Sequence, residues 1–342
     1  MINIKKEGIL LKKTKLPFES EAVLNPAVIK CGDKIHMFYR AVSKNNFSTF
    51  GYCILNSPLN IEYRSLQSVM VPDFELEKNG IEDPRIVSIE NTFYLTYTSY
   101  DGINALGSYA TSEDLISWKK QGILVAKIPY DRFKFLIDDQ NPLSTKYHRY
   151  NQFQVAHHIF EQIYIWNKNL VFFPRKINNK YYILQRIRPD IQLIIVDDLN
   201  MLTNDYWENY FLNFQDKILL SAKYSHEISY IGAGCPPIET KEGWLLIYHG
   251  VFDSLEGYVY NTCAALLQLD NPMVEIARLP YPLLEPEKKW ETKGEVNNVT
   301  FPTGAIVEND ILYIYYGAAD RRIAVASMHL QELISELITY KL

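Results

Sequence analysis

Residues 80–99 read GIEDPRIVSIENTFYLTYTS. Two carboxylates (Glu82 and Asp83), a proline and an arginine (Arg85) stand in front of an alternating apolar run. The pair Glu90-Asn91 follows, and then a second, aromatic-rich run. Alternation on both sides of a two-residue turn predicts an antiparallel hairpin. Strands seldom open with that much charge unless something outside the strand uses it. Whether the pattern recurs decides whether it is a local feature or a repeated architectural position.

It recurs four more times, as NPAVIKCGDKIHMFYRA from Asn25, FPRKINNKYYILQRI from Phe173, PPIETKEGWLLIYHG from Pro236 and FPTGAIVENDILYIYYG from Phe301. Each copy has a proline, a short apolar segment, a turn pair and an aromatic-rich strand. The turn pairs are Gly32-Asp33, Glu90-Asn91, Asn178-Asn179, Glu242-Gly243 and Asn309-Asp310, residue types that tolerate tight reversals. Pro26 to Tyr39, Pro84 to Tyr97 and Pro302 to Tyr315 span 13 positions each, and Pro174 to Gln185 and Pro237 to Tyr248 span 11. A third apolar strand follows every hairpin (FGYCIL, LGSYAT, IQLIIV, NTCAALLQL, IAVASM). Units of this kind, about 60 residues apart, predict an all-β chain folded as a five-bladed β-propeller. A two-sheet sandwich also uses such hairpins, but the regular spacing favours the propeller. Residues 1–342 are then one catalytic domain. The longer interval from Tyr97 to Gln185 predicts an inter-blade insertion near 127–166, and HLQELISELI predicts a C-terminal helix near 329–340.

Composition narrows the function. Apolar residues make up 47% and charged residues 22%, which fits an ordinary globular core. The net charge of −5 comes with no basic stripe, so nucleic acid is not an expected partner. No 18-residue apolar run occurs, so no membrane association is expected. The start MINIKKEGILLKKTK lacks a signal-peptide stretch, and Cys31, Cys53, Cys235 and Cys263 have no CxxC spacing. Both features point to a cytoplasmic protein with reduced thiols. His157-His158 with Glu161 is a loose metal spacing with no further ligand pattern, and no metal site is expected. The 25 tyrosines and 5 tryptophans lean toward sugar binding.

In a propeller the first strand of every blade lines a central channel, so residues at those strand starts converge at one mouth. They are Asn25; Glu82, Asp83 and Arg85; Lys168, Asn169 and Arg175; Tyr230 through Cys235; and Asn297, Asn298 and Thr303, with Arg40, Arg186 and His249 added from second strands. For any one of these charges a solvated loop or ordinary salt bridge is the plainer explanation. Their recurrence at one repeat position argues for a polar pocket.

The stretches NPAVI…FYRAV, IEDPRIV…YLTYTSYDG, KNLVFFPRKINNKYYIL, YIGAGCPPIETKEGWLLIYHGV and GEVNNVTFPTG…LYIYYGAAD resemble glycoside hydrolase family 130, inverting β-mannoside phosphorylases and β-mannosidases. The resemblance covers about residues 24–327 and implies a five-bladed propeller. It implies that Asp83 is the general acid, working through a sugar hydroxyl, and that Asn25, Arg40 and Asp320 hold the mannosyl unit. The phosphate clamp it implies falls on Lys168, Arg186, Tyr230 and His249, with Asn169 and Tyr260 around it. Glu82 and Arg85, on either side of the acid, are expected to bind substrate. Tyr230 stands where the family has a lysine, and Lys168 where an arginine is common.

The chemistry is coherent on its own terms. An inverting transfer needs an acid on the leaving-group side and a nucleophile on the opposite face of the ring. Inorganic phosphate, as co-substrate, needs cations rather than a base, whereas water needs a second carboxylate. The expected activity is phosphorolysis of a β-linked manno-oligosaccharide to mannose 1-phosphate, with no other cofactor. Hydrolysis, with Glu227 as its nominated base, is the alternative, and a non-catalytic sugar-binding propeller is a third reading. The linkage, the acceptor sugar and whether the chain forms a homo-oligomer stay open.

Overall fold

The computed structural model describes residues 2–138, 143, 145–152 and 162–342. The alternating runs form strands that group into five antiparallel meanders, with a few helices between them. The first meander comprises Ala22–Cys31, Lys34–Val42, Ser48–Ser57 and Asn60–Arg64, and the second Gly80–Ile89, Thr92–Tyr100, Ala105–Ser112 and Lys119–Ile123. A parallel bridge from Ser48 to Gly80 joins these two into one eight-stranded sheet. The third comprises Lys168–Phe172, Tyr181–Arg186, Ile191–Val196 and Ile218–Leu220, and the fourth Tyr230–Ala233, Trp244–Ser254, Gly257–Leu267 and Glu275–Arg278, with Ile238–Glu239 paired to its second strand. The fifth comprises Thr300–Glu308, Ile311–Ala318 and Arg322–His329, and takes its outer strand, Lys5–Lys12, from the other end of the chain. Asn178-Asn179 and Asn309-Asp310 have positive φ at both positions, the backbone whose twist matches a two-residue hairpin.

Three first strands carry the same irregularity. Asn25-Pro26 together oppose Tyr39, Asp83-Pro84 oppose Tyr97, and Asn169-Leu170 oppose Gln185. Each is a β-bulge, which bends the strand and re-aims a side chain. Asn25, Asp83 and Asn169 have φ of 49°, 53° and 54°. Asn and Asp tolerate this left-handed backbone better than other residues with a Cβ. In the third meander Leu170 takes the place of the proline, and Pro174 lies beyond the strand end. An alignment on prolines is therefore offset there, and Arg175 is carried away from the mouth. It forms an exposed fork with Glu239 at 2.8 and 2.6 Å.

A second repeat holds the sheets. Glu19, Glu77, Glu227 and Glu291 are fully buried, each on a short turn ahead of a first strand. Each accepts a hydroxyl from the second strand of its own meander: Tyr39 at 2.8 Å, Tyr97 at 2.8 Å, Tyr248 at 2.7 Å and Tyr316 at 2.6 Å. Each also meets a cation of the outer strand: Arg64 at 2.7 Å, Lys120 at 2.5 Å, Arg278 at 3.1 Å and Lys6 at 2.7 Å. A buried carboxylate is tolerable only when paired and hydrogen-bonded in this way. The clasp of the fifth meander uses Tyr316, whose strand position faces Pro302, while the hydroxyl of Tyr315 donates to the Pro58 carbonyl at 2.8 Å.

Helices Tyr130–Asp138 and Thr145–Gln152 precede the third meander, and Asn204–Leu212 lies within it. Phe133, Tyr147, Trp207, Tyr210, Phe211 and Phe214 form one aromatic cluster against its sheet. The helix Leu330–Thr339 buries Leu333, Ile334 and Leu337 against the fourth and fifth meanders. Among the described residues, no helix is long and apolar enough to cross a membrane.

Candidate active site

The bulges bring their left-handed residues together. Asn25 Nδ2 donates to Asp83 Oδ1 at 2.7 Å. This packing requires glycine at 317, because a Cβ there would lie 2.0 Å from Asn25 Oδ1. Arg40 approaches the same carboxylate, with Nη1 3.6 Å from Asp83 Oδ1, while its Nη2 donates to Glu82 Oε1 at 2.7 Å. The other oxygen of Glu82 accepts from Lys168 Nζ at 3.1 Å. Glu82 therefore bridges two cations next to Asp83.

Two cavities meet at these residues, sharing Arg40, Lys168 and Asp320. The outer one, about 600 Å³, is lined by Glu82, Tyr100, Trp166 and Arg321 among others. The inner one, about 150 Å³, holds four cationic side chains (Arg40, Lys168, Arg186 and Arg188) against two carboxylates (Asp83 and Asp320). Asn25, Asn169, Tyr260, Val299 and Phe301 complete it. The Nε atoms of Arg186 and Arg188 and both ring nitrogens of His249 are buried without a hydrogen-bond partner among the described residues. Buried groups of this type ordinarily have one, so their clustering points to a ligand.

Electrostatics divides the site. Burial raises the Asp83 carboxyl, but Arg40, Lys168, Arg85 and the Asn25 amide together hold it below its usual value. For Asp320, burial outweighs Arg40, and Asp83 and Glu82 add to it, so that carboxyl is pushed up to about 6. Burial, then Arg188, brings Arg186 down to about 10, still protonated at neutral pH. Burial and the surrounding arginines put His249 well below its usual value. Its neutral ring has one donor and one acceptor.

Of the residues singled out in the sequence, Asn25, Arg40, Asp83, Lys168, Asn169, Arg186, Tyr260 and Asp320 line the inner cavity and Glu82 the outer one. His249 lies just behind, its ring 4.4 Å from that of Phe301. A Cβ at Gly232 would sit 2.5 Å from it, so the strand passes it only as glycine. Tyr230 is also behind the wall, its hydroxyl 2.5 Å from that of Tyr260. Arg85 lines neither cavity: its guanidinium donates to the carbonyls of Asp83 (2.7 Å), Gly234 (3.0 Å) and Ala233 (3.4 Å), tying the second meander to the fourth. Glu227 lines neither, because it is the clasp of the fourth meander and also accepts the backbone N–H groups of Lys223 and Tyr224. Arg188 was not singled out, although it follows Arg186 by two positions, the spacing that puts both on one face of an extended chain.

His157, His158 and Glu161 lie outside the described residues. Among the described ones, His226, Glu227 and Cys263 bring donor atoms within 4.8 Å of one another, but Arg278 and Tyr248 already engage Glu227.

Residues 4–338 match the model of the family Glyco_hydro_130, described as beta-1,4-mannooligosaccharide phosphorylase. The chain is 33% identical to a 1,2-beta-oligomannan phosphorylase of Thermoanaerobacter sp. (strain X514), over 97% of this chain and 99% of that protein. It is 36% identical to a beta-1,2-mannobiose phosphorylase of the same organism, over 90% of each. Among solved structures it is similar to the beta-1,2-mannobiose phosphorylase of Listeria innocua in complex with beta-1,2-mannobiose. The TM-score is 0.74 at 21% identity, covering 99% of this chain and all of the other.

Proposed function

This chain belongs to glycoside hydrolase family 130, and from that premise we propose that it is an inverting β-mannoside phosphorylase acting on β-1,2-linked manno-oligosaccharides. The observation that carries the reading is the charge of the inner cavity, where four cations face two carboxylates. Glu82 engages Arg40 and Lys168, whereas Arg186 and Arg188 have no ion-pair partner among the described residues and suit a phosphate dianion. The names of both full-length relatives support the β-1,2 linkage.

The mannosyl unit occupies the inner cavity between Asn25, Arg40 and Asp320, and the departing sugar occupies the outer one against Trp166 and Tyr100. A phosphate oxygen held by the arginines attacks C1 from the face opposite Asp83. As the bond from C1 to the glycosidic oxygen breaks, the leaving oxygen takes a proton from a sugar hydroxyl, which is reprotonated by Asp83. The product is α-mannose 1-phosphate, inverted at C1. The resting Asp83 carboxyl is held low by surrounding cations. The arriving dianion offsets that positive field, which raises the affinity of Asp83 for the proton it must donate. Water as nucleophile would need a further carboxylate on the arginine side, and neither Asp83 nor Asp320 fills that role while both cradle the sugar.

The same reading takes the five meanders as blades of one closed propeller forming one domain. First strands pack in turn, Ala22–Cys31 on Gly80–Ile89, that strand on Lys168–Phe172, and Lys168–Phe172 on Tyr230–Ala233, while Thr300–Glu308 packs back on Ala22–Cys31. The strand Lys5–Lys12 in the last sheet supports closure. A cytoplasmic setting fits the unpaired cysteines, of which Cys53, Cys235 and Cys263 are buried. The test is consumption of β-1,2-mannobiose as phosphate is varied: the rate should saturate with phosphate and vanish without it.

A further inference from the structure

Tyr230 replaces a lysine that the family resemblance places in the anion clamp, which should leave the site one charge short. We propose that Arg188 supplies that charge, so that the phosphate clamp of this chain is Arg186, Arg188 and the imidazole of His249, with Lys168 working on the sugar side. This rests on the phosphorylase reading above and names the residue that makes the reading electrostatically complete.

Three observations carry it. Lys168 is already committed, its ammonium 3.1 Å from Glu82 and 5.3 Å from the centre of the Trp166 ring. Tyr230 acts as a platform: the Arg188 guanidinium carbon lies 4.2 Å from its ring centre and that of Arg186 5.5 Å. An aromatic face attracts cations and can hold two guanidinium groups near each other despite their repulsion. A lysine at 230 would instead add a third like charge. Arg188 also lines the inner cavity, its buried Nε has no partner, and neither arginine has an ion-pair partner among the described residues. Two planar forks side by side match the oxygens of a phosphate.

The helix Thr145–Gln152 positions the segment. Asn151 Nδ2 donates to the Arg188 carbonyl at 3.1 Å, Tyr147 donates to Asp190 at 2.7 Å, and the Tyr150 ring meets that of Tyr230 edge-on at 5.9 Å. The aromatic platform and this helix thus hold Arg188 from two sides.

The experiment is phosphate titration by calorimetry, with steady-state KM values for phosphate and for β-1,2-mannobiose, on the full chain and its Arg188→Ala, Arg188→Lys and Arg188→Ala/Tyr230→Lys variants. Loss of a charge-assisted bond should weaken phosphate binding by about ten- to a hundred-fold in Arg188→Ala. The mannobiose KM should stay within about threefold, Arg188→Lys should fall between, and lysine at 230 should recover part of the loss. The proposal is overturned if Arg188→Ala, or Arg188→Lys should the alanine variant not fold, binds phosphate like the parent. It is equally overturned if both KM values shift together, or if the parent binds no phosphate. A parent that binds phosphate through Arg188 but releases free mannose regardless of it would keep the clamp and sink the phosphorylase reading.

Discussion

Asp83 combines a left-handed backbone with a carboxyl held low by Arg40, Lys168 and Arg85. Its position is one that the flanking Glu82 and Pro84 made conspicuous in the sequence, and the bulge explains why charge opens that strand: the bulged carboxylate leaves the ladder and faces the cavity. Asp83→Asn keeps the side-chain shape and the Asn25 neighbour, and should lower turnover by about 10²–10⁴ while leaving the fold intact. Near-parental turnover would remove Asp83 from the chemistry. Asp320 behaves oppositely. Its folded value of about 6 lies above its ordinary one, so the folded protein binds the extra proton between roughly pH 4 and 6. Its contribution to stability is therefore greatest below that window and declines as pH rises through it. Asp320→Asn should melt higher than the parent at pH 7, with the gap shrinking toward pH 4. A gap independent of pH would contradict the burial argument. Motif residues such as Asn25, Arg40 and Asp320 were legible because short-range signatures carry them. Arg188 was not, because its role depends on Tyr230 and on a helix about forty residues upstream.

At the scale of elements, hairpins and turn pairs were readable because alternation and turn chemistry are local. Bulges were not, since they emerge only from pairing, and the proline that marks two of them is absent from the third, where Leu170 stands. That single difference sent Arg175 to an exposed pair with Glu239. The buried glutamate clasps were equally hidden: Glu227 resembled a base because it precedes Tyr230, yet its oxygens bind Tyr248, Arg278 and two backbone amides. Glu227→Ala leaves a buried arginine with fewer partners and should lower unfolding stability by about 3 kcal/mol in denaturant melts. Turnover per folded molecule should stay within a few-fold. A stable variant with turnover reduced by orders of magnitude would restore Glu227 as a catalytic base.

Over the whole molecule, five meanders about 60 residues apart place three bulged strand starts, two arginines of the third meander and the Asp320 turn around one polar cavity. The repeat was visible in the sequence; the outer strand contributed by Lys5–Lys12 was not, because its partner lies more than 300 residues away. The positive inner cavity is the feature on which the functional account depends, since it assigns phosphate rather than water as the nucleophile. The most direct measurement is NMR of the products from β-1,2-mannobiose incubated with and without inorganic phosphate. Phosphorolysis should give α-mannose 1-phosphate and mannose in equal amounts with phosphate, and no turnover without it. Two equivalents of free mannose, formed at the same rate in both samples, would contradict it.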